Sequence, residues 1–362
     1  MSLNLDNRRG VYLNIADEAK TADQSTINKD LEVLEQLDLV YRSVCALMYN
    51  YVPMSGHPGG SISSGRIVAS ILFQTMDYEM SDPDRPDADI ISYAAGHKAL
   101  GLYNIWALRN EILRISRPDL LPDKAQFQLR LEDLLGFRRN PITQTPLFNK
   151  FGVKPLDGHP TPATPFVKLS TGASGVGMAT SVGLAFGMMD MYGENAPRIH
   201  IVEGEGGLTP GRVSEAMAAA GTASLKNIVL HVDWNQASID SNHVCRDQGQ
   251  PGDYVQWNPM ELAALNDWNV IEVPNGMDFQ QVLAAQIKAE KMGNHQPTAI
   301  VYRTTKGWKY GIEGKASHGA GHNLCTDGFF DAVKPFMETS AAALPHCQAN
   351  EQRCQGGKQT DV

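Results

Sequence analysis

The sequence lacks the features of several protein classes. No apolar run approaches the roughly 18 residues that a membrane-spanning helix requires, and the polar start, Met1 to Asp6, is unlike a signal peptide. The five cysteines contain no C-x-x-C pair, and their odd number is typical of free thiols in a reducing cytoplasm. Positive charge is also scarce: the net charge of −9 argues against nucleic acid as the main partner, because phosphate contacts require a basic face. These absences predict a soluble, cytoplasmic protein.

The composition is that of an ordinary enzyme. The chain has 362 residues, 42% hydrophobic and 20% charged, which is enough for a large core in one big domain or two. We expect an N-terminal arm over residues 1–30, either lying on a neighbour or disordered, and a main domain over 31–330. A surface insertion is expected near 105–150, and a loose tail with one short helix over 331–362.

The most informative stretch runs from Ile199 to Asp240. It contains an apolar strand at 199–202, a glycine-rich turn at 204–207, an alanine-rich helix at 212–220 and a second apolar strand at 228–232. A strand–helix–strand unit of this kind predicts parallel strands with a right-handed crossover. We therefore predict an α/β fold, a three-layer doubly wound and mostly parallel sheet, with ligands bound at the carboxyl ends of its strands.

The two loops at that edge carry residues suited to a diphosphate and a metal. Gly204 and Gly206 allow backbone N–H groups to approach a phosphate closely. The carboxylate of Glu205 and the amide oxygen of Asn235 are ligands that Mg²⁺ prefers. A diphosphate bridged by Mg²⁺ is the ligand that matches both features. The alternative is an ordinary βαβ unit with a glycine turn.

The same stretch resembles the thiamine-diphosphate motif of the transketolase family, which begins Gly-Asp-Gly and ends in Asn about 30 residues later, as Glu205 to Asn235 do here. The resemblance implies thiamine diphosphate as cofactor, with Mg²⁺ (or Ca²⁺ or Mn²⁺) held by Glu205, Asn235 and the carbonyl of Ala237. Ile239 matches the apolar residue that bends the cofactor. The family has Asp where Glu205 stands, so the carboxylate is displaced by one methylene here.

Four further segments resemble the same family, and each contains a histidine. They are Ser55-Gly56-His57-Pro58-Gly59, Gly96-His97, Gly158-His159-Pro160 with Thr171-Gly172 to Gly177, and Ser317-His318-Gly319. By resemblance, His57 assists proton transfer and His97 contacts the diphosphate and the terminal hydroxyl of the donor. His159 binds the first hydroxyl of the donor, His318 donates a proton to the acceptor carbonyl, and Gly172 lies beside the aminopyrimidine of the cofactor.

The resemblance covers residues 30–325, the diphosphate-binding domain of the family, and a full transketolase continues with a pyrimidine-binding domain and a C-terminal domain. It therefore implies an α subunit that transfers a two-carbon ketol (or acyl) unit from a ketose or keto acid to an aldehyde. A separate subunit would supply the other two domains in an α2β2 assembly.

Two alternatives remain open. One is decarboxylation of a 2-oxo acid, as in dehydrogenase first subunits or deoxyxylulose-phosphate synthase, because the stretch from Lys306 to His318 resembles the homodimeric first subunits of pyruvate dehydrogenase. The other is a cofactor-binding protein without catalysis, which Glu205 and the replacement of the family's Pro-Leu by Ala173-Ser174 would favour.

Overall fold

A computed structural model describes residues 7–16, 19, 24–52, 56–138, 146–319, 322–324 and 326–344. Ser55, Cys325 and the tail beyond Leu344 lie outside the described residues, so the predictions made for them stay predictions. Cys45 and Cys245 are free and buried. Within the described part of the chain, no helix combines the length and the apolar character that crossing a membrane demands.

The centre of the molecule is a parallel sheet of six strands in the order β1-β5-β6-β4-β3-β2. Every pair of neighbouring strands runs in the same direction. The strands are β1 (Tyr12–Asn14), β2 (Ile90–Ser92), β3 (Ile199–Gly204), β4 (Ile228–Trp234), β5 (Asn269–Val273) and β6 (Thr298–Arg303). The predicted α/β fold with a mostly parallel sheet is confirmed.

Nine α-helices surround this sheet in the described residues. They are α1 (Gln24–Tyr51), α2 (Pro58–Ser70), α3 (Ala99–Ser116), α4 (Pro146–Phe151), α5 (Val176–Tyr192), α6 (Gly211–Thr222), α7 (Pro259–Leu265), α8 (Phe279–Glu290) and α9 (Asp327–Ser340). Pro58 and Pro259 each stand in the first turn of their helix, where the missing N–H costs no hydrogen bond.

The sheet divides the hydrophobic core into two layers because successive side chains of a strand point to opposite faces. Val202 and Ile300 face the core formed with α1, α2, α3, α8 and α9. Ile201 and Val301, their neighbours in sequence, face the core formed with α5, α6 and α7. The predicted three-layer arrangement therefore follows from strands that are apolar on both faces.

The register of the sheet brings the predicted binding loops together. Gly204 at the end of β3 lies opposite Asp233 near the end of β4. Trp234, the last residue of β4, lies opposite Arg303, the last residue of β6. The loops that follow these three strands consequently share the carboxyl edge of the sheet, as the sequence predicts.

The strands and helix of the central unit match the predicted ones to within two residues. α6 continues through Gly221 to Thr222, although a glycine commonly ends a helix. The glycine has a packing role instead, since a Cβ at this position would lie 2.0 Å from the carbonyl oxygen of Asn266. The close approach of the two backbones therefore explains why this position is occupied by glycine.

The prediction of an irregular N-terminal arm is wrong for part of that segment. Tyr12–Asn14 forms β1, which pairs with β5 at the edge of the sheet. Val11 is anchored on both sides: its N–H donates to Asn269 Oδ1 at 3.1 Å and its carbonyl accepts from the N–H of Val270 at 2.8 Å. Three residues are too few to give a period of two, so the sequence pattern could not reveal the strand.

The predicted surface insertion and residues 331–344 of the predicted tail are also more tightly packed than expected. Trp106 in α3 and Phe137 are almost completely buried, so much of the segment from 105 to 138 belongs to the core. Within it, the chain forms two 3₁₀ turns, Ala125–Phe127 and Leu131–Gly136. The tail helix begins earlier than expected, at Asp327, and Ala332 and Val333 pack in the core.

Candidate functional site

A cavity of about 350 Å³ opens at the carboxyl ends of β3 and β4, next to the start of α2. It is lined by nearly all the residues predicted as a site: His57, His97, His318, Gly172, Gly204, Glu205, Gly206, Asn235, Ala237 and Ile239. Lys98, Glu203, Tyr254 and Lys306 line the same cavity. Another cavity of about 340 Å³, near Tyr78 and Lys168, contains none of the predicted residues. The chemistry therefore points to the first cavity.

Three of the four predicted histidines form a cluster in this cavity. The ring centroid of His57 lies 4.9 Å from that of His97 and 4.4 Å from that of His318. The rings of His97 and His318 are stacked 6.5 Å apart. Segments that are separated by up to 261 positions in the sequence thus converge on one point.

The environment keeps these three rings neutral at neutral pH. Burial, followed by the proximity of His318 and the charge of Lys306, lowers the pKa of His57 to about 3. Burial and the neighbouring Lys98 hold the pKa of His97 well below its usual value. Burial and Lys306 lower the pKa of His318 to about 4. Each ring therefore offers one N–H donor and one nitrogen acceptor.

The loop that carries His57 is held in an unusual conformation. His57 has a φ of 68°, in the left-handed region, and stands immediately before Pro58 at the start of α2. Its N–H donates to the carbonyl of His318 at 2.6 Å. A Cβ at Gly59 would lie 1.9 Å from Ser317 Oγ, so the glycine allows the two loops to touch. Strain of this kind often accompanies a functional site.

His159 is placed beside the cavity and does not line it. Its ring packs on the backbone of Gly172, where an added Cβ would lie 3.0 Å from His159 Cδ2. Thr171 N–H donates to the carbonyl of Pro160 at 3.1 Å, which ties the two segments together. The structure thus brings the predicted pair of motifs together. His159 itself is exposed.

The glycine turn and the end of β4 meet through Glu205 and Asn235. The N–H of Asn235 donates to Glu205 Oε2 at 3.3 Å. Asn235 Oδ1 accepts from the N–H of Ala237 at 3.0 Å. Burial, reinforced by the charge of Asp233, raises the pKa of Glu205 to about 7.

The oxygen atoms of this corner fit a cation. Among the described residues, Glu205 Oε1 is buried without a hydrogen-bond partner, which leaves a carboxylate oxygen for a ligand. Asn235 Oδ1 keeps a second lone pair. The third predicted ligand, Ala237 O, already accepts from Lys306 Nζ at 3.0 Å. The described residues contain no group of three or more His, Cys, Asp or Glu side chains suited to a metal, so backbone and ligand oxygens would complete the set.

The neighbouring wall fits an anion such as a diphosphate. Gly206 leaves open space, since a Cβ added there would meet nothing within 4 Å. Lys98 and Lys306 line the same cavity, and a Cβ added at Gly204 would lie 3.8 Å from Lys98 Nζ. Ile239, the predicted apolar support of the cofactor, is 69% exposed and accessible to a ligand.

Sequence reasoning missed a buried ion pair under the cavity. Lys98 Nζ donates to Asp233 Oδ2 at 2.6 Å, and both side chains are at most 3% exposed. Asp233 also accepts from Ser63 Oγ at 2.6 Å and from Thr304 Oγ1. Burial opposes the charge of Asp233, but Lys98 and these hydrogen bonds hold its pKa below the usual value. Lys98 directly follows His97 in the sequence, and Asp233 lies two residues before Asn235. This proximity to predicted site residues is the signal that could have identified the pair.

A buried carboxylate, Glu203, was missed as well. Its Oε1 accepts from the N–H of Gly204 at 2.9 Å. A Cβ at Gly207 would lie 2.2 Å from Glu203 Cδ, so this glycine makes room for the carboxylate. Burial raises the pKa of Glu203 to about 7. Gly207 is therefore required for packing, whereas Gly206 leaves the cavity accessible to a ligand.

Comparison with known protein families gives a match over residues 124–329 to a family described as "Transketolase, thiamine diphosphate binding domain". Human transketolase is 31% identical over 268 residues, which cover 73% of this chain and 36% of the human protein. Mouse transketolase-like protein 2 is 30% identical over 70% of this chain and 34% of its own length. The chain thus spans little more than a third of the length of these relatives.

Solved structures agree in fold. Transketolase from Campylobacter jejuni superposes with a TM-score of 0.66 at 24% identity, covering 91% of this chain and 47% of that one. Transketolase from Leishmania mexicana gives a TM-score of 0.62 at 22% identity over 85% of this chain and 45% of its own.

The buried ion pair predicts an asymmetric mutational response. Lys98→Met should destabilise the protein by about 3–5 kcal/mol, because Asp233 is left buried without a counter-charge. Adding Asp233→Asn should recover most of this loss, since the amide removes the unpaired charge. Urea denaturation measures both, and Lys226→Met, which breaks the exposed pair with Glu194, should cost less than about 1 kcal/mol. A double variant as unstable as Lys98→Met would contradict the explanation.

The neutral histidines predict a loss of stability in acid. Below the unfolded pKa of 6.5 the unfolded chain takes up protons at these rings, while folded His57 stays neutral down to about pH 3. The free energy of unfolding therefore falls as the pH is lowered through this window. Relative to wild type, His57→Asn should gain about 1–2 kcal/mol between pH 7 and pH 5.

His295→Asn is the matched control for that experiment. His295 also has a left-handed φ, 60°, but lies exposed in a surface turn. Asparagine tolerates this conformation at both positions. The same pH response in both variants would count against the neutral histidine cluster.

Proposed function

This chain belongs to the transketolase family as its thiamine-diphosphate-binding domain, and we propose that it is the diphosphate-binding subunit of a transketolase-like enzyme. The enzyme would transfer a two-carbon ketol unit from a ketose, or an acyl unit from a keto acid, to an aldehyde. The observation that carries this proposal is one cavity that joins three neutral histidines to the Glu205–Asn235 corner.

The chain's own residues would hold the cofactor at its diphosphate end. Glu205 and Asn235 would bind a divalent cation, Mg²⁺ by the hard oxygen character of the ligands, with Ca²⁺ and Mn²⁺ as substitutes. Gly204, Gly206 and the two lysines of the wall would accept the diphosphate. Gly172 and Ile239 would contact the organic part. When bound, thiamine diphosphate supplies the carbanion chemistry.

The histidines would position the substrate and manage its protons. His57 and His97 are neutral, so each can accept a proton from a sugar hydroxyl and donate a hydrogen bond through its other nitrogen. His318 would donate to the carbonyl oxygen of the acceptor, and His159 would bind a donor hydroxyl at the rim. Hydroxyl-rich substrates suit a ring of groups that both donate and accept.

A separate subunit would supply the pyrimidine-binding and C-terminal domains, with an α2β2 assembly in the cytoplasm. Two facts support the need for more protein at the site. The chain corresponds to at most 47% of the solved transketolases described above. The cavity is also open, with Ile239 and Tyr254 exposed at its wall by 69% and 43%.

Capture of the tagged chain from its native cells, with thiamine diphosphate and Mg²⁺ added, tests the two-subunit proposal. Mass spectrometry should find a stoichiometric companion of about 300 residues, the size of two ordinary domains, with a pyrimidine-domain sequence. The reconstituted complex should then convert a ketose and an aldehyde without CO₂ release. Release of CO₂ from a 2-oxo acid would establish the decarboxylase instead, and tight cofactor binding without any turnover would establish a binding protein.

Cofactor binding itself should depend on Asn235. We expect Asn235→Ala to weaken Mg²⁺-dependent binding of thiamine diphosphate by at least about tenfold, because an amide oxygen of the cation site is lost. Isothermal titration calorimetry of the chain measures this without any turnover. Asn195→Ala, an exposed asparagine remote from the cavity, is the control and should bind normally. Unchanged affinity in Asn235→Ala would refute the assigned corner.

A further inference from the structure

Lys306 is a cavity residue whose ammonium group contacts two parts of the site at once. Nζ lies 3.0 Å from the carbonyl oxygen of Ala237 and 3.0 Å from His318 Nδ1. The side chain is buried, with the residue 6% exposed. An ion of this kind needs fixed partners, since water cannot reach it freely.

The contact with His318 determines which ring nitrogen carries the proton. A lysine ammonium has three N–H donors and no acceptor. His318 Nδ1 can therefore take part only as an acceptor, which means that it carries no proton. A neutral imidazole has a single N–H, so the proton of His318 must be on Nε2.

The other groups around His318 agree with a neutral, fixed ring. Its carbonyl accepts the N–H of His57, and the His57 ring lies edge-on at 4.4 Å. The nearby positive charges of Lys306 and Lys98 oppose protonation of the ring, whereas Asp240 favours it. Burial and the two lysines prevail, and the pKa of His318 is lowered to about 4.

We propose that Lys306 is a positioning residue that locks His318 in the tautomer with its proton on Nε2. His318 then presents a neutral N–H donor to a substrate oxygen, and its Nδ1 is unavailable as a base. The same ammonium ties the Ala237 loop to His318, so the cation corner and the proton donor form one unit. The catalytic meaning of this tautomer rests on the proposed function, whereas the tautomer itself does not.

The tautomer is measurable by ¹⁵N NMR on the full-length chain labelled at histidine, without cofactor. The His318 signals are assigned by their loss in His318→Gln. We expect Nδ1 to resonate as an unprotonated nitrogen and Nε2 as a protonated one at neutral pH. A wild-type spectrum with the proton on Nδ1, or an even mixture, would overturn the proposal.

Variants separate positioning from a general structural role. Lys306→Met should shift the tautomer ratio of His318 by on the order of tenfold or more, the effect of losing a charge-assisted hydrogen bond. Lys306→Arg, which keeps a charged donor, should restore the proton to Nε2. Lys315→Met is the matched control: this exposed lysine lies in the same 3₁₀ turn as His318 and should leave the ratio unchanged.

An unchanged ratio in Lys306→Met would overturn the positioning role. If that variant fails to fold, the wild-type spectrum still decides the tautomer and Lys306→Arg still tests its dependence on a charged donor. Failure of the proposed function would appear separately, as absence of thiamine diphosphate binding in calorimetry, with the His318 spectrum unaffected.

Discussion

The ion pair between Lys98 and Asp233 is the constraint on which the rest of the site depends. Its two members are 135 positions apart and belong to the segment before α3 and to the end of β4. Ser63 from α2 and Thr304 from the loop after β6 donate to the same carboxylate. A buried charge demands this many partners, because leaving it unpaired is strongly unfavourable. Satisfying Asp233 therefore fixes four segments relative to one another, and each of them leads directly into a wall of the cavity.

The cavity combines buried acids, buried lysines and neutral histidines in a small space. Burial raises the pKa of Glu203 and Glu205 to about 7 and lowers that of Lys306 to about 8, so Lys306 is still an ammonium at neutral pH. Asp233 and Lys98 stay charged because they neutralise each other at 2.6 Å. Such opposed environments are typical of sites that bind a charged ligand and handle protons. A cation and an anionic cofactor entering together would preserve the overall balance of charge.

Glycine serves two separate purposes at this edge of the sheet. At Gly59 and Gly207 it allows another side chain to approach the backbone, and at Gly206 it leaves open space. The distinction matters for interpreting glycine-rich turns, since a packing glycine and a ligand-facing glycine look identical in a sequence.

The sequence by itself determined the central βαβ unit, the α/β class, the edge of the sheet at which the cavity opens and the loops that carry His57, His97, Glu205, Asn235 and His318. The unit, the class and the edge follow from local periodicity, whose physical causes act within a few residues. The loops were singled out by their resemblance to the transketolase family. Only the tertiary structure decided that Tyr12–Asn14 joins the sheet, that Lys98 pairs with Asp233, and that Lys306 bridges Ala237 and His318. Each of these contacts joins distant segments, and the protonation states depend on burial and on charges brought close by folding. Burial by distant segments leaves no pattern in the local sequence. The protonation states of the site residues therefore depend on the tertiary structure alone.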